Sequence, residues 1–398
     1  MNPSPEHPLP EAATTPISPS EQDFSPSEQN SEQNSAPSTA RRIFFGPFGL
    51  RAGWSLLLYL SLLATIAGSL FGIGHLVYLH QVHTAAAAAA KAGKPAPPLP
   101  TSPFKQDPGK PVPMAYMILG ESFMFGLFLF TSWLMSRIEH RKLSAYGLGG
   151  AHRLPRFLTG ASWGLLAISL LILTLRAFHL LAFDALLDHG PSILFWGAAQ
   201  LLGFLLVGLT EEYSMRGYLQ FTLTRGFVSL GTLISPPSDS KRARTIAFWI
   251  AAVITSTLFF LGHTHNPGEN WLGLLQVFLA GIVFVLALWR TGSLWWGIGF
   301  HMAWDWGQSF LFGVPDSGGL EQGRLFATHA LGNPLFSGGT VGPEGSILCV
   351  PIFLLAMVVL YFTHPSPQPP LELPNPRLNP DPQPSESTSY PNTPSAIA

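Results

Sequence analysis

The sequence predicts an all-α fold, a polytopic transmembrane helical bundle with about eight spans and disordered terminal tails. Only 11% of the 398 residues are charged and 47% are hydrophobic, whereas a soluble domain of average composition carries about 25% charged residues. The 29 Phe and 11 Trp residues suit a bilayer core and its interfaces. The formal net charge of -1 provides no field that attracts nucleic acid. Membrane lipid is therefore the expected surrounding, and no nucleic-acid partner is expected.

Long apolar runs carry the span prediction, because crossing the hydrocarbon takes about 20 apolar residues. The fourth run continues into an amphipathic stretch that we expect to stay helical to about Val228. The predicted spans lie near Trp54–Leu79, Met114–Met135, Phe157–Phe183, Ile193–Leu209, Ile246–Leu261, Trp271–Leu288, Leu294–Phe312 and Ser346–Phe362.

Lys and Arg are concentrated in alternate loops, which orients the bundle. The poorer side has Lys91, Lys94, Lys105, Lys110 and Arg324. The richer side has Arg41, Arg42, Arg51, Arg137, Arg141, Lys142, Arg153, Arg156, Arg225, Lys241, Arg242, Arg244, Arg290 and Arg377. The richer side is predicted to be cytoplasmic, and an even number of spans places both termini there.

Composition divides the chain into four regions. Residues 1–40 lack Lys and Arg and are rich in Pro, Ser, Glu, Gln and Asn, so a disordered tail is expected. Residues 41–150 hold N-terminal transmembrane helices and loops, and residues 151–363 hold the remaining helices. Residues 364–398 read as a second disordered tail. The single cysteine, Cys349, lies in an apolar run and cannot form an internal disulfide.

Two adjacent carboxylates and an arginine interrupt the fourth apolar run. A charged side chain at mid-bilayer costs about 3 kcal/mol on insertion scales, so a structural or functional role is expected for these residues. Glu212 and Arg216 are four residues apart and share a helix face, where they can pair. Glu211 points elsewhere and is left for chemistry, which suits a general base. On its own, the Glu–Arg pair could equally lock two helices together.

Histidines occupy two further spans. His263 and His265 lie at the end of the fifth span, just before a turn signal, and His265 reads as an interfacial residue. His301 and Asp305, in the seventh span, are four apart and share a face. Helix register places Glu211 and His263 at nearly the same height in an antiparallel pair. Each histidine alone could be a satisfied packing residue, but three polar features at compatible heights favour one shared site.

These residues resemble the CAAX prenyl protease and bacteriocin-processing family of intramembrane proteases, also called CPBP or Abi. That family carries EExxxR, FxxxH and HxxxN/D motifs on three transmembrane helices. The corresponding segments here are Glu211–Arg216, Phe259–His263 and His301–Asp305, in the same order and spacing. The segment Arg137–Leu148 also resembles the basic loop of bacterial members. The resemblance makes residues 151–363 a CPBP-type protease core.

The resemblance implies an intramembrane endopeptidase of bacterial cytoplasmic membranes, acting on hydrophobic or membrane-anchored peptides and proteins. Glu211, helped by His263, would activate the attacking water. His301 and Asp305 would stabilise the oxyanion, and Glu212 with Arg216 would form the structural ion pair. Hydrolysis also requires a water-filled cavity, since lipid excludes water.

Asp305 departs from the prenyl-protease members, which have Asn at this position. An ionised Asp cannot donate a hydrogen bond. Asp305 could instead orient His301, or it could be protonated. Family members are often labelled metalloendopeptidases, and Glu211, His263 and His301 are candidate Zn²⁺ ligands. The expected cofactor is therefore none or Zn²⁺, and we favour the metal-free glutamate mechanism.

Two other classes of function stay open at this point. The chain could be a non-catalytic membrane scaffold or regulator that binds partner helices. It could also be a transporter that uses the polar cluster as an ion relay, in which case Glu121 and Arg176 would take part. Outside a transporter these two residues read as packing or cavity-lining groups.

Overall fold

The computed structural model describes residues 39–46, 49–95, 111, 113–234 and 240–364. The two predicted tails, 1–40 and 364–398, lie outside the described residues except for their innermost positions. Among the described residues, 39–43 belong to one unit and 44–364 to a second, which contains the elements described below from Phe44 onward.

The described part of the second unit is mainly α-helical. Two short antiparallel pairs of strands accompany the helices, β1 with β2 and β3 with β4. In chain order the α-helices and strands are α1 (Thr39–Phe44), β1 (Phe45–Gly46), β2 (Gly49–Leu50), α2 (Ala52–Lys91), α3 (Met114–Ile138), α4 (Arg153–Ala177), β3 (Leu181–Leu186), α5 (Pro191–Tyr213), α6 (Gln220–Ile234), α7 (Ser240–Gly262), α8 (Trp271–Thr291), α9 (Trp295–Trp306), β4 (Phe326–Ala330), α10 (Pro334–Ser337) and α11 (Cys349–Thr363).

Within the described ranges, six helical segments are long and apolar enough to cross a membrane, and a shorter apolar helix accompanies them. The six are Ala52–Lys91, Met114–Ile138, Arg153–Ala177, Pro191–Val228, Lys241–Gly262 and Trp271–Thr291. The predicted seventh and eighth spans correspond to α9, with 12 residues, and α11, with 15. The all-α, multi-pass class is thus confirmed, with two shorter helices completing the bundle.

Several helix ends differ from the sequence prediction, and those of the first and third spans have clear physical reasons. The first span extends through the alanine run to Lys91, since alanine has the highest intrinsic helix propensity. The third span was expected to reach Phe183, but α4 ends at Ala177. The chain then enters β3, which pairs with β4 of a distant loop. This pairing satisfies backbone groups that a longer helix would otherwise have satisfied.

Close packing of α4 on α9 depends on glycine. A Cβ atom at Gly160 would lie 2.0 Å from the Trp296 carbonyl oxygen, and one at Gly164 would lie 2.2 Å from the Phe300 carbonyl oxygen. Small residues four apart let helix backbones approach closely inside a membrane. The backbone of α9 is thereby held directly against α4.

An aromatic ladder on α9 faces the core. Trp296, Phe300 and Trp304 stack with ring centroids 5.2 and 6.0 Å apart, and Trp304 continues onto Phe353 of α11 at 5.1 Å. These residues recur every four positions, so they occupy one face of the helix. A neighbouring face of α9 then carries His301 and Asp305.

A buried polar cluster, here called the Glu139 cluster, lies at the end of α3. The Glu139 carboxylate accepts hydrogen bonds from the hydroxyls of Tyr146, at 3.3 Å, and Tyr218, at 3.1 Å. Arg225 Nη2 lies 3.2 Å from one carboxylate oxygen and Arg141 Nε lies 3.4 Å from the other. The cluster therefore ties the loop after α3 to the helix that follows the two adjacent carboxylates.

Candidate active site

A cavity of about 470 Å³ lies where α3, α5, α7, α8 and α9 meet the loops between α7 and α8 and after α9. Its lining contains six carboxylates and two histidines, with no Lys or Arg among the described lining residues. The ionisable lining groups are Glu121, Glu211, His263, His301, Asp305, Asp316, Glu321 and Glu344.

The helix that delivers the two adjacent carboxylates changes form directly after them. The α-helix α5 ends at Tyr213, and Ser214–Leu219 continues as a π-helical turn before α6 begins. Gly217 takes φ -81° and ψ -113° inside this turn. Such π-bulges concentrate at functional sites because they redirect side chains without ending the helix.

Glu212 and Arg216 form a fully buried ion pair. Arg216 Nη1 lies 3.2 Å from Glu212 Oε1, and the two side chains are 0% and 1% exposed. The guanidinium sits over the Phe259 ring, with Cζ 4.3 Å from its centroid. Gly281 makes room for it, since a Cβ there would lie 2.9 Å from Arg216 Nη2. Phe259, the aromatic residue of the second motif, thus holds the arginine of the first.

Glu211 faces the cavity instead. Its side chain is 32% exposed, and Oε2 lies 3.5 Å from His301 Nε2. Adjacent residues on a helix point about 100° apart, which separates the buried carboxylate from the accessible one.

His301 lies among three carboxylates. Its Nδ1 is 3.2 Å from Glu212 Oε1, and its Nε2 is 3.5 Å from both Glu211 Oε2 and Asp305 Oδ2. The ring stacks on Phe284, with centroids 5.0 Å apart and planes at 20°. These contacts fix both the position and the orientation of the imidazole.

His263 lines the same cavity at the end of α7. Its Nδ1 is 2.9 Å from the Phe259 carbonyl oxygen, an acceptor that requires an N–H at Nδ1. The other ring nitrogen is then available to the cavity. Within the described residues no hydrogen bond or ion pair joins His263 to Glu211. His265 is exposed and is not a lining residue.

The other polar residues singled out in the sequence separate into two groups. Glu121 of α3 lines the cavity, whereas Arg176 is exposed at the end of α4 and does not. Sequence reasoning missed three further carboxylates of the lining, Asp316, Glu321 and Glu344. The sequence pattern that could have indicated these three residues is weak. They are acidic residues within Gly- and Pro-rich loops that follow the last histidine motif.

Burial raises the pKa of two of these loop carboxyls. The pKa of Glu321 rises from 4.5 to about 7 because burial penalises its charged form. The pKa of Asp316 is raised well above its usual range, mainly by burial and next by the negative charge of Glu344. This end of the cavity is therefore short of positive charge.

The residues suggested as zinc ligands do not converge. Within the described residues, one group of three has its ligand atoms within 4.8 Å of one another. This group consists of Asp305, Asp316 and Glu344. Glu211, His263 and His301 do not form such a group. The arrangement does not fit a tetrahedral zinc site built on these three residues.

Fold and site together define an integral, multi-pass membrane protein whose helices enclose a cavity lined by carboxylates and imidazoles. Residues 191–307 match the family model described as "Type II CAAX prenyl endopeptidase Rce1-like". The match contains all three motifs, so this segment of the chain is similar to the CAAX-type protease family, which supports the resemblance seen in the sequence. Comparisons with curated proteins and with solved structures found no significant match.

Proposed function

We propose that the protein is an intramembrane endopeptidase in which Glu211 and the two cavity histidines activate a water molecule. The observation that carries this proposal is the contrast between two adjacent carboxylates. Glu212 is neutralised by Arg216, whereas Glu211 is accessible in the cavity and 3.5 Å from His301. The match to the CAAX endopeptidase family supports peptide hydrolysis as the reaction.

Glu211 acts as the general base. An ionised carboxylate in a cavity can accept a proton from water as the water oxygen attacks the peptide carbonyl carbon. His263 assists from the end of α7. With an N–H at Nδ1 directed to the Phe259 carbonyl, Nε2 of the neutral ring can accept a hydrogen bond from the same water.

His301 is the electrophilic partner. A doubly protonated imidazole satisfies its surroundings, because Nδ1–H donates to Glu212 and Nε2–H faces Glu211 and Asp305. Nε2–H is then the donor for the oxyanion that develops on the substrate carbonyl. Asp305 acts as a positioning residue, since its Oδ2 lies 3.5 Å from His301 Nε2 and a carboxylate, when ionised, cannot itself donate to an oxyanion.

The bond changes balance without an additional reactant. Water forms the new C–O bond, and its proton passes to Glu211. When the tetrahedral intermediate collapses, the C–N bond breaks and Glu211 returns the proton to the leaving nitrogen. The products are a peptide carboxylic acid and a peptide amine, which become a carboxylate and an ammonium group after proton exchange with water. In this mechanism no step uses a metal ion at Glu211, His263 and His301.

The substrate is a hydrophobic or membrane-anchored peptide or protein. The cavity adjoins the loops between α7 and α8 and after α9, which the Lys and Arg distribution places on the non-cytoplasmic side. We propose that both termini are cytoplasmic, that the site opens toward the opposite side, and that the membrane is a bacterial cytoplasmic membrane.

The test is cleavage of a fluorogenic, membrane-anchored peptide by the purified chain in liposomes. Glu211→Gln preserves shape and removes the base, so we expect the cleavage rate to fall about a thousandfold. Asp184→Asn is the matched control, since this carboxylate is 44% exposed on β3 and outside the cavity. The control should cleave at the wild-type rate.

Unchanged cleavage by Glu211→Gln would overturn the proposal. If the wild type cleaves no peptide in a broad membrane-anchored library, a non-catalytic scaffold is favoured instead. Loss of wild-type cleavage on chelation, restored by Zn²⁺ alone, would replace the metal-free mechanism with a zinc-dependent one.

A further inference from the structure

Three carboxylates from separate segments converge at the loop end of the cavity. Asp305 comes from α9, Asp316 from the loop after it, and Glu344 from the short 3₁₀ turn Pro343–Gly345. One ligand oxygen of each lies within 4.8 Å of the others. We refer to these residues as the acidic trio.

Two members of the acidic trio, Asp316 and Glu344, are contacted by neutral donors that do not compensate their charge. Glu344 accepts from Trp304 Nε1 at 2.9 Å, and from the Ser317 hydroxyl at 3.1 Å. Asp316 receives only long contacts of 3.4 Å from Gln308 and Ser309. In the described part of the chain, neither Asp316 nor Glu344 forms an ion pair with Lys or Arg. Carboxylates oriented by neutral donors are the usual supporting arrangement of metal ligands.

A second observation comes from a buried polar residue that lines the same cavity. Gln276 of α8 lines the cavity with the acidic trio and is 1% exposed. Neither polar atom of its side-chain amide has a hydrogen-bond partner among the described residues. A buried amide without a partner is costly, and its oxygen is a ligand type that hard cations accept. The helix that carries Gln276 packs against the turn that carries Glu344.

We propose that Asp305, Asp316 and Glu344 bind a hard divalent cation of the Ca²⁺ or Mg²⁺ class, with Gln276 as a neutral fourth ligand. An oxygen-only ligand set selects these ions over Zn²⁺, which prefers nitrogen and sulfur. The ion would join α9 to the two loops that close the cavity. It would also neutralise the end of the cavity where negative charge is concentrated.

The proposal is tested on the full chain in detergent micelles after treatment with a chelator. Ca²⁺ and Mg²⁺ are titrated separately by calorimetry, and thermal unfolding is followed by tryptophan fluorescence. We expect one ion per chain and a melting temperature that rises with ion concentration, because the ion binds the folded state. Asp316→Asn and Glu344→Gln should each weaken binding at least tenfold, and Gln276→Leu by a smaller factor.

Asp184→Asn is the matched control, since Asp184 is an exposed carboxylate on β3 outside the cavity. It should bind the ion within about twofold of the wild type. No Ca²⁺ or Mg²⁺ binding to the wild type would overturn the proposal, and this measurement does not depend on whether a variant folds. Binding that survives both acidic-trio variants, or tight binding of Zn²⁺ alone, would also overturn it.

The outcome is separable from the proposed protease activity. Glu211→Gln should bind the ion as the wild type does, while losing cleavage. A wild type that cleaves peptide but binds no ion refutes the cation site alone. A wild type that binds the ion but whose cleavage survives Glu211→Gln refutes the catalytic proposal alone.

Discussion

The protein buries carboxylates in two contrasting surroundings. Glu139 is enclosed by Arg141, Arg225 and two tyrosine hydroxyls, so each of its oxygens has a charged and a neutral donor. The cavity carboxylates lack such compensation, and no Lys or Arg is found among the described lining residues. A buried charge that is paired and hydrogen-bonded supports structure. A carboxylate that keeps unsatisfied capacity in a cavity is available for protons, water or cations.

The same contrast occurs within two consecutive residues. Glu212 is 1% exposed and paired, whereas its neighbour Glu211 is 32% exposed at the cavity. Residue type and depth in the bilayer therefore do not distinguish a structural carboxylate from a reactive one. The distinction lies in the hydrogen-bond and ion-pair partners that surround each carboxylate oxygen. Variants at each kind of carboxylate can separate a structural role from a reactive one.

The largest expected effect is on stability, at the Glu139 cluster. Glu139→Ala removes the carboxylate and leaves Arg225 and Arg141 without it in a buried site. We expect a loss of about 3–5 kcal/mol in unfolding free energy. Thermal unfolding in detergent measures it, with the exposed Asp184→Asn as control. A melting temperature equal to that of the wild type would contradict the structural reading of this cluster.

The second effect is on activity, at the cavity. His301→Gln keeps the shape of the site but removes the charged donor for the oxyanion. We expect the cleavage rate constant to fall about a hundredfold, or about 2.7 kcal/mol, with little change in KM. His265→Gln, in the exposed loop nearby, should cleave normally. An increase in KM with an unchanged rate constant would instead make His301 a substrate-binding residue.

A third variant tests whether packing far from the chemistry positions the site. Gly164→Val places side-chain atoms where even a Cβ would lie 2.2 Å from the Phe300 carbonyl oxygen. The forced separation of α4 and α9 should cost about 2 kcal/mol of stability and reduce cleavage as well, since His301 follows Phe300. Gly126→Val is the matched control, because its Cβ would meet nothing within 4 Å.

The smallest effect is a pH dependence. The pKa of Glu321 is raised from 4.5 to about 7 in the folded chain. Between these values the folded state holds a proton that the unfolded state releases, so this group lowers stability as pH rises from about 4.5 to 7. Glu321→Gln should melt near the wild-type temperature at pH 5 and a few degrees above it at pH 8. A temperature difference independent of pH would exclude this titration.

Much of the fold follows from local sequence pattern. Apolar runs of about 20 residues predicted the long helices, because each must satisfy its own backbone hydrogen bonds in lipid. Helix period also predicted that Glu212 and Arg216 share a face while Glu211 points elsewhere. Residues about one turn apart on a helix have relative positions that are set almost entirely by the backbone geometry of the helix.

Partners distant in the sequence required the tertiary structure. His301 lies 89 residues from Glu212, and Glu344 lies 40 residues from Trp304. The motifs and helix register predicted that Glu211, His263 and His301 lie near one another. They did not predict that His301 contacts both adjacent carboxylates. Nor did they indicate that the Phe259 ring contacts both Arg216 and His263.

Composition and the lengths of the apolar runs predict a multi-pass helical protein, and the three motifs resemble those of the CAAX protease family. Which carboxylates meet in the acidic trio depends on tertiary contacts, because two of them lie in a loop and a short turn without a repeating period. The position of such loops depends on contacts made elsewhere, here the pairing of β3 with β4 and the packing of α8 against the Pro343–Gly345 turn. Helical periodicity acts over a few residues, whereas the cavity is assembled by packing across the whole bundle.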